Sequence, residues 1–225
     1  MATKVKKTDE VIALDEHLSK SEKFIEKNLK TIVVAVVAVV IVVGGWFIYS
    51  NHMDKVESEA QVAISKSQAL FGQEQFDLAL NGDGATSIGF LKVIDVYGGT
   101  KTSNIAKLYA ALCYANTGKL DEAIKMFEDF NIQDDDIISP SSIAALGNCY
   151  VKKGENEKGA ELLVKAATKA NNNSLSPIFL LQAGEIYESL NNNAKALELY
   201  KQIKEKYFRS PISAEIDKYI NRVGE

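Results

Sequence analysis

The sequence predicts an all-α chain: one N-terminal transmembrane helix, then an α-solenoid of stacked helix pairs, closed by a C-terminal capping helix. Three observations carry that expectation. An unbroken apolar run of 18 residues, Ile32–Tyr49 ("IVVAVVAVVIVVGGWFIY"), lies near the N-terminus. A pattern centred on tyrosine returns at Tyr114, Tyr150 and Tyr187, spaced 36 and 37 residues apart. Each of the three prolines follows a serine, at Ser139-Pro140, Ser176-Pro177 and Ser210-Pro211, with gaps of 37 and 34 between the prolines. Proline is tolerated at the first helical position, where its missing N–H costs nothing, and serine is a favoured N-cap. Each Ser-Pro is therefore expected to open a helix.

Residues 1–30 precede the apolar run. Within "TDEVIALDEHLSKSEKFIEKNLK", Val11, Leu14, Leu18, Ile25 and Leu29 fall near helical spacing, which fits an amphipathic helix; a loosely ordered tail is the alternative. Residues 31–53 contain no Asp, Glu, Lys or Arg. The 18-residue run would rise about 27 Å as a helix, close to the ~30 Å of a hydrocarbon core. Trp46 and Tyr49 at one end and Lys27 and Lys30 at the other suit the two membrane interfaces. The long preceding arm and the lack of a small-x-small site in "GGWFIYSNHM" favour an uncleaved signal anchor over a cleaved leader. Four lysines (Lys20, Lys23, Lys27, Lys30) flank the span on its N-terminal side, against Lys55 and Lys66 on the other, which places the N-terminus in the cytoplasm. Residues 54–75 are expected to form a membrane-proximal helix.

Beyond the span the chain carries 19 Lys+Arg against 24 Asp+Glu. A net acidic surface disfavours nucleic acid, whose phosphates need a basic one. The two histidines, His17 and His52, both precede the repeats, so no Ser-His-Asp or Cys-His catalytic set and no His-based metal site can be assembled there. "NGDGATS" lacks the lysine and spacing of a phosphate loop and reads as a turn between helices. Asp134, Asp135 and Asp136 read as a solvated cap at a helix junction rather than a calcium site. No catalytic, cofactor or metal residue is expected. Cys113 and Cys149 each precede a repeat tyrosine, and equivalent positions on neighbouring helices lie about 8–10 Å apart, too far for a disulfide. They are expected to be buried free thiols.

Three segments align on the tyrosines: Leu108–Phe127, Ala144–Leu163 and Leu181–Tyr200. Ala111, Gly147 and Gly184 come three before the tyrosine; Gly118, Gly154 and Asn191 come four after it. Ala123, Gly159 and Ala196 follow nine after it, and Phe127, Leu163 and Tyr200 thirteen after it. Small residues let paired helices approach, the ring fills the gap between them, and Gly or Asn supplies the left-handed turn. Upstream, Phe76–Gly99 reads as a degenerate copy, with Leu80, Gly84, Gly89 and Val93 matched to Tyr114, Gly118, Ala123 and Phe127.

These columns resemble the tetratricopeptide repeat. The resemblance divides residues 76–225 into a degenerate repeat at 76–99, repeats at 104–137, 140–173 and 177–208, and a capping helix at 211–223. The family's geometry, carried over, lines a concave face with Leu108, Tyr109, Leu112 and Asn116 in one unit. Ala145, Asn148, Val151 and Lys152 follow in the next, then Leu181, Gln182, Glu185 and Glu188. These residues either receive a ligand or pack against the terminal helix or a second copy; the surface is mixed and is no basic clamp for acidic C-termini.

The order of arm, span and repeats, with "LALNGDGATSIGFLKVIDVYGGT" and "SPIFLLQAGEIYESL", resembles the YfgM-like family of bacterial inner-membrane proteins. That resemblance implies a non-enzymatic, single-pass protein with its repeats in the periplasm. It implies an ancillary subunit of the Sec translocation channel, acting beside a membrane-anchored periplasmic foldase, chaperones and secreted clients. A structural scaffold for another envelope assembly, in outer-membrane biogenesis or division, is the alternative, and self-association is compatible with both.

Overall fold

The computed structural model describes residues 2–224, with side chains from Phe24 onward. Two compact units are present, Met1–Lys55 and Val56–Glu225. Helix α1 (Ala2–Gly72) carries the apolar run within the first unit. Its segment Phe24–Gly72 is long and apolar enough to cross a membrane, and none of its most apolar window is buried. Val34, Ile41, Val42 and Trp46 are all about two-thirds exposed or more. A helix apolar around its whole circumference and covered by nothing is one suited to lipid. Ile25 and Leu29 are exposed; the side chains of Val11, Leu14 and Leu18, on which the amphipathic reading rests, lie outside the described residues.

The second unit adds helices α2 (Phe76–Asn81), α3 (Phe90–Val96), α4 (Lys101–Asn116), α5 (Leu120–Glu128) and α6 (Ile138–Lys152). It continues with α7 (Asn156–Ala170), α8 (Ser176–Ser189), α9 (Asn193–Lys206), a 3-10 helix at Pro211–Ala214, and α10 (Ile216–Gly224). From α3 onward each helix packs on the one before it, as a stacked array requires.

One turn geometry punctuates the array. Glu74, Gly118, Gly154 and Asn191 all adopt positive φ, at 59°, 79°, 86° and 59°. The residue after each donates its N–H five positions back: Gln75 to Leu70, Lys119 to Tyr114, Glu155 to Tyr150 and Asn192 to Tyr187. This is the Schellman closure, which satisfies a carbonyl orphaned at the helix end.

The position of Glu74 corrects the register expected for the degenerate copy. Leu70, not Leu80, answers to Tyr114; Ser67 answers to Ala111 and Ala79 to Ala123. The C-terminal part of α1 is thus the first helix of this repeat unit, and the compact unit starts at Val56 rather than at Phe76. The second helix is interrupted. The backbone leaves at Gly82 (φ 92°) and returns at Gly89 (φ 81°), where a Cβ would lie 2.6 Å from Leu80 O. Inside this excursion the Asp83 carboxylate accepts from the N–H groups of Ala85, Thr86 and Ser87 at 2.7–2.9 Å and from the Thr86 hydroxyl at 2.6 Å. The Thr86 hydroxyl and then these backbone donors hold the carboxyl well below its usual range. "NGDGATS" is the turn expected from its glycines.

The Ser-Pro pairs also act differently from expectation. Ser210 does cap the 3-10 helix, accepting from Ser213 N at 3.2 Å. Ser139 and Ser176 instead sit inside the first turn, fully buried. Ser139 Oγ donates to Asp135 and accepts from Gln133 N; Ser176 Oγ donates to Ala167 O and accepts from Asn172 N. These hydroxyls tie each helix to the loop before it. The N-cap position of α6, Ile137, offers no side-chain acceptor; Asp135, two residues before it, does the capping, its carboxylate accepting from the N–H groups of Ile137, Ile138 and Ser139. Partial burial opposes its ionisation, but the Ser139 hydroxyl and the three N–H donors outweigh it and hold the carboxyl low. The C-terminal cap likewise opens as the 3-10 helix before becoming α10.

Candidate binding face

Close helix pairing positions the face. A Cβ on Gly147 would lie 2.8 Å from Gly159 O, so α6 and α7 meet through backbone. In the next pair Tyr200 occupies the space above Gly184. The Tyr200 hydroxyl donates to Glu188 Oε2 at 3.1 Å, and burial, then this carboxylate, push the phenol up. Tyr150, equivalent to Tyr187 in the column, donates to Glu128 Oε1 at 2.9 Å.

The expected face residues divide into three groups. Leu108, Leu112 and Ala145 are half-buried together beside the core of Ala111, Phe127 and Tyr150; Leu181 is half-buried against the next core. Asn116, Asn148, Lys152 and Glu185 are exposed, and Asn116 Nδ2 donates to Leu112 O at 2.8 Å. Val151 is half-buried, its Cγ2 against Gly159. Gln182 is half-buried, with its side-chain oxygen buried and unpaired. Two residues are committed elsewhere. The Tyr109 ring stacks on Phe90 (5.1 Å, 10°) and meets Phe71 edge-on (5.1 Å), packing in the core of the first repeat unit. Glu188 accepts from Arg222 at 2.6 and 2.7 Å as well as from Tyr200, and so anchors α10. Arg222, opposed by slight burial and helped by Tyr200, keeps its carboxyl below the usual value of 4.5.

The sequence reading missed the first unit's contribution. Gln61, Ile64 and Gln68 of α1 face Lys101, Thr102 and Ile105 of α4 across a groove of about 400 Å³. Glu57 closes one end, accepting from the Thr102 hydroxyl at 2.7 Å and from Thr102 N at 3.3 Å. With the turn placed at Glu74, Ile64 and Gln68 take the columns that Leu108 and Leu112 hold in the next unit, and Gln61 that of Ile105; only the misplaced register hid them.

Both cysteines are free and buried. Burial, then the charge of Asp77, pushes the Cys113 thiol up to about 12, and burial raises that of Cys149, so neither is an activated nucleophile. Among the described residues no cluster of His, Cys, Asp and Glu has the makings of a metal site.

Comparison with known proteins agrees with this geometry. The tetratricopeptide repeat family model matches residues 106–132 and 179–207. The chain carries tetratricopeptide repeats. Among solved structures it is similar to a Podosopora anserina protein assigned as a kinesin light chain with nearly identical TPR-like repeats. The TM-score is 0.56 at 13% identity, covering 74% of this chain and 86% of that one. A second structure of that protein, with one glutamine replaced by methionine, gives 0.55 at 13% identity, covering 74% and 85%. At such identity the likeness is one of fold. No curated protein matches the chain. Repeats of this kind typically form non-catalytic scaffolds for contact between proteins, and the chain is read as an interaction adaptor.

Proposed function

We propose that this chain is a membrane-tethered adaptor, an ancillary subunit of the Sec protein-translocation channel that links it to periplasmic chaperones or foldases. The observation that carries the reading is the joining, in one chain, of an uncovered apolar helix segment and a tetratricopeptide array. The tether holds the array at the membrane surface, and the array supplies contact area without catalysis. The lysine asymmetry about residues 31–53 supports a cytoplasmic N-terminus and periplasmic repeats in a bacterial inner membrane. The likeness of Leu78–Thr100 and Ser176–Leu190 to the YfgM-like family supports the channel as partner, with a membrane-anchored foldase and secreted clients nearby. The contact face is the concave side of α4, α6 and α8, through Leu108, Leu112, Asn116, Ala145, Asn148, Lys152, Leu181 and Glu185.

The test is affinity purification of the full-length protein from gently solubilised, mildly cross-linked membranes, with mass spectrometry of the co-purified proteins. The expected result is the translocation channel in stoichiometric amount. Recovery of another envelope assembly without the channel would overturn the assignment and make the array a scaffold for that machine.

A further inference from the structure

The excursion inserted into the first unit holds two dipeptides that are chemically labile in a polypeptide. Asn81-Gly82 is the chain's only asparagine followed by glycine, and Asp83-Gly84 its only aspartate so followed. Glycine has no side chain to hinder its own nitrogen, which can attack the Cγ of the preceding residue and close a cyclic imide. From asparagine the step expels ammonia, which leaves with the proton of the glycine N–H; from aspartate it expels water. Water then opens the imide at the side-chain carbonyl to give aspartate, or at the main-chain carbonyl to give isoaspartate, whose main chain is longer by a methylene. The fold treats the two dipeptides differently. The N–H groups of Ala85, Thr86 and Ser87 and the Thr86 hydroxyl hold the Asp83 carboxylate ionised, and a carboxylate has no hydroxyl to expel as water. Asn81 is guarded by conformation alone. It is exposed to water. Its Nδ2 donates to Asp77 O at 3.0 Å and Gly82 N–H donates to Leu78 O at 2.8 Å, which turns amide and nucleophile back along α2. Gly89 lies across the peptide that joins them, where a Cβ would collide with Asn81 C and Gly82 N. Gly89 leads directly into Phe90, buried with Leu80 in the core of the first unit. Attack at Asn81 therefore waits for that core to open.

The geometry points to Asn81-Gly82 as a self-modification site gated by the first repeat unit. Each opening of that unit exposes Asn81 to the Gly82 nitrogen, and isoaspartate at residue 81 marks a chain whose first unit has opened. The product also acts on the unit that made it. It places a carboxylate at the C-terminal end of α2, four residues after Asp77, where both the helix dipole and the like charge oppose it. Its longer main chain has no room beneath Gly89, so a modified unit cannot close as before. The inference goes beyond the adaptor reading and needs neither the membrane nor the channel.

The test follows the full chain in nanodiscs through prolonged incubation at mildly alkaline pH. Peptide mapping by mass spectrometry and enzymatic methylation of isoaspartate are the readouts. The expected product in the parent is isoaspartate at residue 81, formed about tenfold or more slowly than in the same chain with its repeats unfolded in urea. Phe90→Ala, which removes buried volume but none of the reacting groups, should speed formation about tenfold or more. Ser67→Ala, which loses only the bond to the Ser87 hydroxyl, should speed it about fivefold and serves should Phe90→Ala fail to fold. Asn81→Gln should remove the product, because glutamine needs a larger ring that closes slowly, and Asp83 should stay unmodified throughout. The modified parent should lose hydrogen-exchange protection in the first unit and keep it in α7 and α8. A rate at Asn81 that is the same in the parent and both variants would mean that the helix end frays by itself, and would overturn the gating. So would reaction as fast in the folded chain as in the unfolded one, or isoaspartate forming first at Asp83. Unchanged protection in the modified chain would overturn its effect on the unit.

Discussion

The first repeat unit and the α6–α7 pair close the same turn by different means. Around Gly154 the helices meet through bare backbone, Gly147 against Gly159. Around Glu74 the position of Gly147 is taken by Ser67, fully buried, whose hydroxyl shares a hydrogen bond of 2.8 Å with that of Ser87 in the inserted loop. The space that glycines remove in one pair is filled in the other by rings: Phe71, Phe90 and Tyr109, with centroids 5.1–6.5 Å apart. The turn is therefore the invariant of the array, and the packing behind it is interchangeable so long as volume is conserved.

The largest expected effect breaks the ring-filled side. Phe90 is fully buried against the other two rings, so Phe90→Ala should cost about 3–5 kcal/mol by cavity formation. Because stacked units draw stability from themselves and their neighbours, hydrogen exchange should lose protection first in residues 56–97 and last in α7 and α8. Uniform loss along the chain would show that the units do not melt separately.

A smaller effect tests the backbone side. Gly147→Ala puts a methyl 2.8 Å from Gly159 O and 3.1 Å from Leu162 Cβ, and the carbonyl cannot yield without moving α7. The expected cost is about 1–3 kcal/mol. Ser67→Ala in the equivalent column already has room for its Cβ and should lose only about 1 kcal/mol, for the hydroxyl–hydroxyl bond, since the Ser87 hydroxyl keeps the Gly89 N–H at 3.3 Å. Thermal melts that rank these two substitutions the other way would refute the equivalence of the columns.

The contrast also explains what could be read from the sequence alone. Tyr114, Tyr150 and Tyr187, with Gly118, Gly154 and Asn191 after them, announce the all-α repeat class because ring, small residue and left-handed turn each demand a particular residue type. The first unit uses Leu70 for the tyrosine and Glu74 at φ 59°, a residue with no left-handed preference, so nothing local marks its turn. The Gly82–Gly89 excursion then shifts the later columns, and the glycines at 84 and 89 imitate a repeat in the wrong register. The same displacement hid Gln61, Ile64 and Gln68. Asp135 was recognisable as a junction cap, but which of three aspartates caps depends on loop geometry. Asp135→Ala should cost about 1 kcal/mol, the usual worth of an N-cap, where Asp134→Ala costs little; equal melting shifts for the two would remove Asp135 from that role.

The smallest effect concerns the far end, where an ion pair joins the ring contact of Tyr219 on Tyr200, 5.4 Å between centroids, in closing the array. Glu188 joins α8 to α10 through Arg222, and its carboxyl is held below 4.5 in the folded chain. A carboxyl whose folded value is depressed stabilises the fold above its unfolded value, and that stabilisation is lost as pH falls through the folded value. Glu188→Gln should therefore lower the melting temperature at neutral pH, by the equivalent of less than about 1 kcal/mol since the pair is partly solvated. The difference from the parent should shrink as the pH is taken below 4.5. A penalty that persists unchanged in acid would mean that Glu188 acts through contacts that need no charge, such as the one with the Tyr200 hydroxyl, and that α10 is held by packing of Ile216, Tyr219 and Val223 in the terminal core, so that the end of the array closes, like its first unit, by filling volume.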